Sequence, residues 1–282
     1  MQSPTLSPTG NGALGVRIAS EDGGTQALRI FVDHVLRLNN GHRLPTGYFR
    51  LHLEPQTSAN AHQQLRVELR QRLFDATLIG NVFAVDDEQD EVEEPQRRKR
   101  KRKTENENEE EEEEEEEEER LVMSFELFVQ ADYNESEAAT GAVSGQGAMF
   151  MRIVYDSSYR QQSPSSSSSS QPLLEWVPVG KQPLPFAWQN ETTAINNNSS
   201  TEVTVIASLV STSVGDANAS LMAAVDNGFD REYQRSAEWW RQYWQQTYVS
   251  MASTKLEGFY AVELYRLGSF SFSFSFLLNV EC

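Results

Sequence analysis

Leu65-Arg66-Val67-Glu68-Leu69-Arg70 decides how most of this chain is read. Leu65, Val67 and Leu69 fall on one side and Arg66, Glu68 and Arg70 on the other, the period-two alternation of a strand with one face buried and one wet. The same grammar recurs on either side. Upstream, Leu28, Ile30 and Val32 alternate, Asn40-Gly41 is a hairpin-turn dipeptide, and Phe49, Leu51 and Leu53 alternate with Arg50 and His52. Downstream come Phe125, Leu127 and Val129, then Met149, Met151, Ile153 and Tyr155, and finally Val203, Val205, Ala207 and Leu209. Short strands separated by loops in this number predict a mainly β fold, an antiparallel β-sandwich rather than a parallel sheet.

Low-complexity runs interrupt the pattern. Residues 86–120 carry 20 acidic and 8 basic side chains, a net of −12 out of the total of −18, and Glu109 to Glu119 are eleven consecutive glutamates. Such a run repels itself and offers no apolar surface to offset the cost of ordering its backbone, so a disordered insertion is expected. Residues 161–171, with Ser165 to Ser170 unbroken, form a second expected insertion, and residues 1–26, rich in Ser, Thr, Gly and Pro, are expected to be a tail. The sandwich is thus assigned to residues 27–220.

Charge and composition narrow the partners. A sequence pI near 4.7 disfavours broad binding to nucleic acid or anionic membrane. The exception is Arg97-Arg98-Lys99-Arg100-Lys101-Arg102-Lys103, which fits either a nuclear-import signal or cations paired loosely with the neighbouring glutamates. The poly-Glu run could hold basic proteins by charge complementarity, or be expansion without a selected partner. No run approaches the roughly 18 to 20 apolar residues of a membrane helix, and Met1 to Thr9 lack a hydrophobic signal core, so a cytoplasmic or nuclear setting is expected. Cys282 is the one cysteine, and His34, His42, His52 and His62 build no zinc-type spacing with it; no cofactor motif is present and none is expected.

The grammar changes near Leu221. Phe229, Tyr233, Ala237, Trp240, Trp244 and Tyr248 recur at helical spacing, the stripe of an amphipathic helix. A second helix is predicted from Thr254, where Thr254-x-x-Glu257 reads as a capping box, with Leu256, Tyr260, Leu264 and Leu267 as its face and Gly268 as its C-cap. Residues 221–268 are therefore a helical segment, and the Phe/Ser alternation of residues 269–282 is an atypical tail, strand-forming or an aggregation hazard.

Several phrases, taken in order, resemble the N-terminal region of six-hairpin glycosidases related to the inverting α-L-fucosidase family. They are Leu69-Arg70-Gln71-Arg72-Leu73 before a short hairpin, Phe125-Glu126-Leu127-Phe128-Val129-Gln130-Ala131-Asp132, and Phe186-Ala187-Trp188-Gln189-Asn190-Glu191. The helical part adds Trp239-Trp240-x-x-Tyr243-Trp244, Tyr248-Val249, Leu256-x-x-Phe259-Tyr260 and Leu264-Tyr265-x-Leu267. The resemblance covers about residues 60 to 267. It departs at Gln246-Thr247, where relatives carry Arg-Ser, and at Trp188-Gln189, where they carry a histidine.

It implies a β-sandwich, a helical linker and an (α/α)6 barrel, with catalysis in the barrel. By typical helix length the two helices expected here supply only about a sixth of such a barrel. The implied protein is a non-catalytic sandwich portion with carbohydrate as its partner, inactive alone, or a fragment of a full glycosidase. A rival reading is a nuclear or cytosolic binding protein acting through its basic and poly-Glu insert.

No catalytic residue is assigned. Glycoside hydrolysis needs two carboxyl groups at a fixed separation, and Asp33, Asp132, Asp156, Asp216, Glu126 and Glu191 show no spacing that selects a pair. Trp188, Asn190 and Glu191 are the candidate substrate-binding residues, in a loop after Pro183 and Pro185, with a structural loop as the alternative. Trp239, Trp240 and Trp244 could stack on sugar rings, but at helical spacing they read as core clamping the helices to the sandwich. A helix face built to meet a barrel would leave an apolar patch bare.

Overall fold

A computed structural model of the chain describes residues 9–10, 14–21, 27–39, 42–53, 64–85, 119–131, 147–159, 172–179, 185–195, 199–209 and 214–270. The glutamate-rich and serine-rich insertions, but for Glu119 and Arg120, lie outside the described residues, as does the Phe/Ser tail beyond Phe270. The fold is mainly β, with two antiparallel sheets and three helices among the described residues.

The first sheet has the order β1-β2-β3-β4-β9, from β1 (Thr9–Gly10), β2 (Leu14–Ser20), β3 (Ala27–Asn39), β4 (His42–His52) and β9 (Leu174–Pro178). The second has the order β10-β11-β8-β7-β6-β5. It is built from β5 (Gln64–Arg72), β6 (Thr77–Val85), β7 (Glu119–Val129), β8 (Gly147–Asp156), β10 (Phe186–Ile195) and β11 (Ser200–Leu209).

Period-two alternation builds the core between the sheets. Val16, Ile18, Ile30, Phe49 and Leu51 of one sheet face Leu78, Val82, Phe125, Leu127, Met151 and Val205 of the other, each 2% exposed or less. Burying side chains of this size contributes roughly 1.5–3 kcal/mol apiece. The same alternation corrects the N-terminal boundary. Residues 1–26 were expected to be a tail, but Leu14, Val16 and Ile18 are buried and β2 pairs antiparallel with β3, Val16 opposite Val32 and Ile18 opposite Ile30. Its short apolar set, Leu14, Val16 and Ile18, is enough because a strand of this sheet, here flanked by β1 and β3, buries only the face turned toward the other sheet.

The second sheet is covered on its outer face too. Helix α1 (Val214–Asn227) lies over β10 and β11, and α2 (Phe229–Thr247) starts over β8. Ala217, Leu221 and Ala224 of α1 and Phe229 of α2 pack on Phe128, Ala148, Phe150, Ala187 and Ile206. Phe128 and Phe150 stack at 5.1 Å with rings 3° apart, and Phe229 meets Phe128 edge-on at 5.2 Å. Gly228 separates the two helices at φ 75, the left-handed region where a side chain is strained, while its N–H caps the Ala224 carbonyl at 3.1 Å.

Helix α3 (Thr254–Phe270) returns over α2. Two expectations about its ends are corrected. Ser253 rather than Thr254 is the N-cap, since its Oγ accepts the Leu256 N–H at 3.5 Å. Glu257 instead reaches back to the Met251 N–H at 3.3 Å and to the Tyr248 hydroxyl. Gly268 does not end the helix, which continues to Phe270. A Cβ on Gly268 would stand 2.8 Å from the Trp240 ring, so this glycine is a close-contact residue between helices.

Candidate functional site

The three tryptophans of α2 do different work. Trp240 is 0% exposed and stacks on Tyr265 of α3 at 5.3 Å, while Trp244 donates from Nε1 to the Leu73 carbonyl at 3.0 Å. Both lie in a cluster with Ala76, Tyr243, Leu264 and Tyr265 that clamps the β5–β6 turn. Trp239 packs against this cluster on one side only: it stacks on Tyr243 at 5.6 Å, 5° from parallel, and meets Trp240 edge-on at 5.0 Å. Its remaining surface lines an open groove of about 440 Å³.

Polar side chains fix how α2 sits. Glu232, 0% exposed, accepts from Gln130 Nε2 at 2.8 Å and from Arg235 at 3.1 Å. One turn on, Ser236 Oγ accepts the Ala131 N–H at 3.2 Å and donates to the Val129 carbonyl at 3.4 Å. These contacts tie the end of β7 to the helix. Tyr233 donates to Asp75 at 3.0 Å and accepts from Arg72 at 2.9 Å, which fixes the β5–β6 turn. Burial first, then the Asp75 charge, pushes the Tyr233 hydroxyl above its usual range, so it stays a donor.

The groove runs along the opposite, solvent side of the same helix. Arg231, Gln234, Arg235, Glu238, Trp239 and Gln242 line it, at the i, i+3, i+4, i+7, i+8 and i+11 spacing of one helix face. Glu238 is held by Arg241 and by Gln242 Nε2 at 2.9 Å, and Arg235 by the buried Glu232. The side chains of Arg231 and Gln234 make no hydrogen bond or ion pair among the described residues. An aromatic wall beside amide and guanidinium donors suits a ligand with apolar C–H faces and hydroxyl or anionic substituents.

Of the sequence-predicted binding residues, Trp188 and Asn190 share a face and Glu191 does not. They stand on the strand β10 rather than in a loop. Trp188 lies opposite Ala207 on the inner face and meets Phe49 edge-on at 5.3 Å. Asn190, opposite Val205, shares that face but is exposed, whereas Glu191 alternates to the other face. Trp188 is part of an aromatic knot that closes the sandwich, in which Trp176 stacks on Phe186 at 3.8 Å and Phe49 touches all three rings.

The carboxylates scatter as well. Asp33 is paired with Arg17, Glu126 with Arg72, and Asp156 with Arg120. Burial alone would raise Asp156, but hydrogen bonds from Ser158 and Arg120 outweigh it and hold the carboxyl below its usual range. Asp216 sits exposed on α1, and Asp132 lies outside the described residues. Among the described residues, no three or more His, Cys, Asp and Glu side chains gather so as to hold a metal ion, and no helix is long and apolar enough to cross a membrane.

Sequence reasoning missed the groove. Its one clue is the polar face of α2, Arg231 to Gln242, in which Trp239 interrupts side chains that otherwise suit water. Compared with models of known protein families and with characterised proteins, the chain matches none at the level of sequence.

Proposed function

We propose that this chain is a non-catalytic β-sandwich portion of a glycoside hydrolase-like, carbohydrate-active protein, and that it engages sugar along α2 rather than at β10. The observation that carries this reading is the division of labour among the tryptophans. Trp240 and Trp244 hold the helix in place, and the half-buried Trp239 offers a pre-positioned aromatic surface beside Gln234 and Gln242. A ring already fixed by Tyr243 loses little freedom on binding, so its contacts with a pyranose face are not offset by ordering. The resemblance to six-hairpin glycosidases points to the same ligand class independently of the groove.

The test is titration of the full chain with a panel of neutral and charged oligosaccharides, fucosylated ones included, followed by tryptophan emission and calorimetry. Binding by at least one saccharide that Trp239→Ala removes, with Trp188→Phe leaving it intact, is the expected result. A panel without a single binder, or binding that survives Trp239→Ala, overturns the reading.

A further inference from the structure

Building on the carbohydrate reading above, we propose that the α2 groove selects acidic sugars, with Arg231 reading the carboxylate and Trp239 carrying the ring. Charge accounting along the groove leads there. Arg235 is neutralised by Glu232 at 3.1 Å, and Glu238 by Arg241, so neither has charge to spare for a ligand. Arg231 has no counter-charge among the described residues, and its neighbour Asp230 is taken by Arg152 at 2.7 Å. Among the described residues, one uncommitted guanidinium therefore remains in a groove whose other described charges are paired.

Guanidinium is the side chain best matched to a carboxylate, because its planar fork donates two parallel hydrogen bonds. An amide comes next along the face: Gln234 is uncommitted among the described residues, and Gln242 keeps its carbonyl oxygen after donating its amide to Glu238 at 2.9 Å. Both suit hydroxyl groups. From Arg231 to Gln242 the helix advances about 16 Å, longer than a single pyranose ring, so a chain of rings can lie along it. Tyr243 covers one face of the Trp239 indole and does not line the groove, which leaves the other face or the edge for a ring. The chemistry fits a uronate-containing oligosaccharide better than an isolated inorganic anion, which would leave the aromatic wall and both amides unused.

The test compares tri-galacturonic acid with its methyl ester, the same skeleton without the charge, by calorimetry on the full chain, with sodium sulfate as the free anion. Expected is acid bound at least tenfold tighter than ester, a preference that weakens as salt rises, disappears in Arg231→Gln and is partly kept in Arg231→Lys. Arg231 is exposed and makes no hydrogen bond or ion pair among the described residues, so the variants should stay folded; thermal unfolding checks this.

Acid and ester bound equally, both lost in Trp239→Ala, sinks the acidic preference but leaves the carbohydrate reading. Sulfate competing as well as the acid, with no contribution from Trp239, sinks the preference by showing an anion site without sugar recognition. Acid binding unaffected by Arg231→Gln also sinks it. No saccharide bound at all sinks both proposals.

Discussion

At the scale of single residues, Trp240 and Trp239 are neighbours with opposite assignments. Trp240 is fully enclosed by Tyr243, Trp244, Tyr265 and the bare backbone of Gly268. Truncating it to alanine removes a large ring from a site that cannot collapse around the loss, so Trp240→Ala should cost about 3–5 kcal/mol. Trp239→Ala should cost much less, since solvent already meets part of that ring. Urea denaturation of both variants checks the difference; equal losses would mean that Trp239 is core and the groove has no aromatic wall to offer.

Glu21 makes a second residue-scale case. Hydrogen bonds from Arg50 and from Arg29, the latter at 2.6 Å, outweigh burial and hold its carboxyl below the usual glutamate range. A carboxyl whose folded pKa is depressed stabilises the fold at any pH above the unfolded value, about 4.3, and stops doing so as pH falls through the folded value. Glu21→Gln should therefore be less stable than the parent near neutrality. The gap should close in acid below about pH 4.3, when stability is measured at a series of pH values.

At the scale of elements, the α1–α2 junction rests on one backbone conformation. Nothing lies within 4 Å of a Cβ built on Gly228, so Gly228→Ala meets no clash and reports only the left-handed φ of 75. The expected loss is roughly 1 kcal/mol, read as a lowered denaturation midpoint with an unchanged slope. Gly268→Ala should behave otherwise, because its methyl group must displace the Trp240 ring.

Element types were legible wherever one periodicity ran uninterrupted. Leu65-Val67-Leu69 and Phe125-Leu127-Val129 became strands, and the Phe229-to-Trp244 stripe became α2. Within that stripe the buried residue is Ser236 rather than Ala237, because the helix uses a hydroxyl to tie down the end of β7. What stayed hidden was second-order. Phe128 and Phe150 lie between inward-facing residues of their strands, and an apolar residue on the nominally wet face is the mark of a covered sheet, here by α1 and the start of α2.

Hidden too was β2, whose apolar residues sit among glycines and serines that suggest a tail. The groove was less legible still: polar residues at i and i+4 describe almost every solvated helix face, and only the tertiary anchoring of Trp240 and Trp244 singles out Trp239.

At the scale of the whole molecule, α3 carries an apolar stripe that is exposed among the described residues. Leu256, Phe259 and Leu267 are 61%, 67% and 54% exposed and fall within about 80° of arc at roughly 100° per residue. Tyr248 and Val249, just before the helix, are exposed as well. Such a face drives association in water, so the chain should elute from size exclusion with an apparent mass that grows with concentration. Replacing Phe259 by Ser should reduce that growth without lowering the unfolding temperature. A monomer at every concentration would show that the stripe is harmless.

The acidic insertion leaves the second sheet at Val85 and rejoins it at Glu119, and these two residues are direct cross-strand partners. Arg66 of β5 ties to Glu119 across the same corner. The insertion's length is therefore invisible to the sheet, since closing a longer loop costs only logarithmically more. Peptide-bond continuity is dispensable at this point: trypsin, given seven consecutive basic residues from Arg97 to Lys103, should convert the protein into two polypeptides that migrate apart in denaturing gels yet co-purify as one native body.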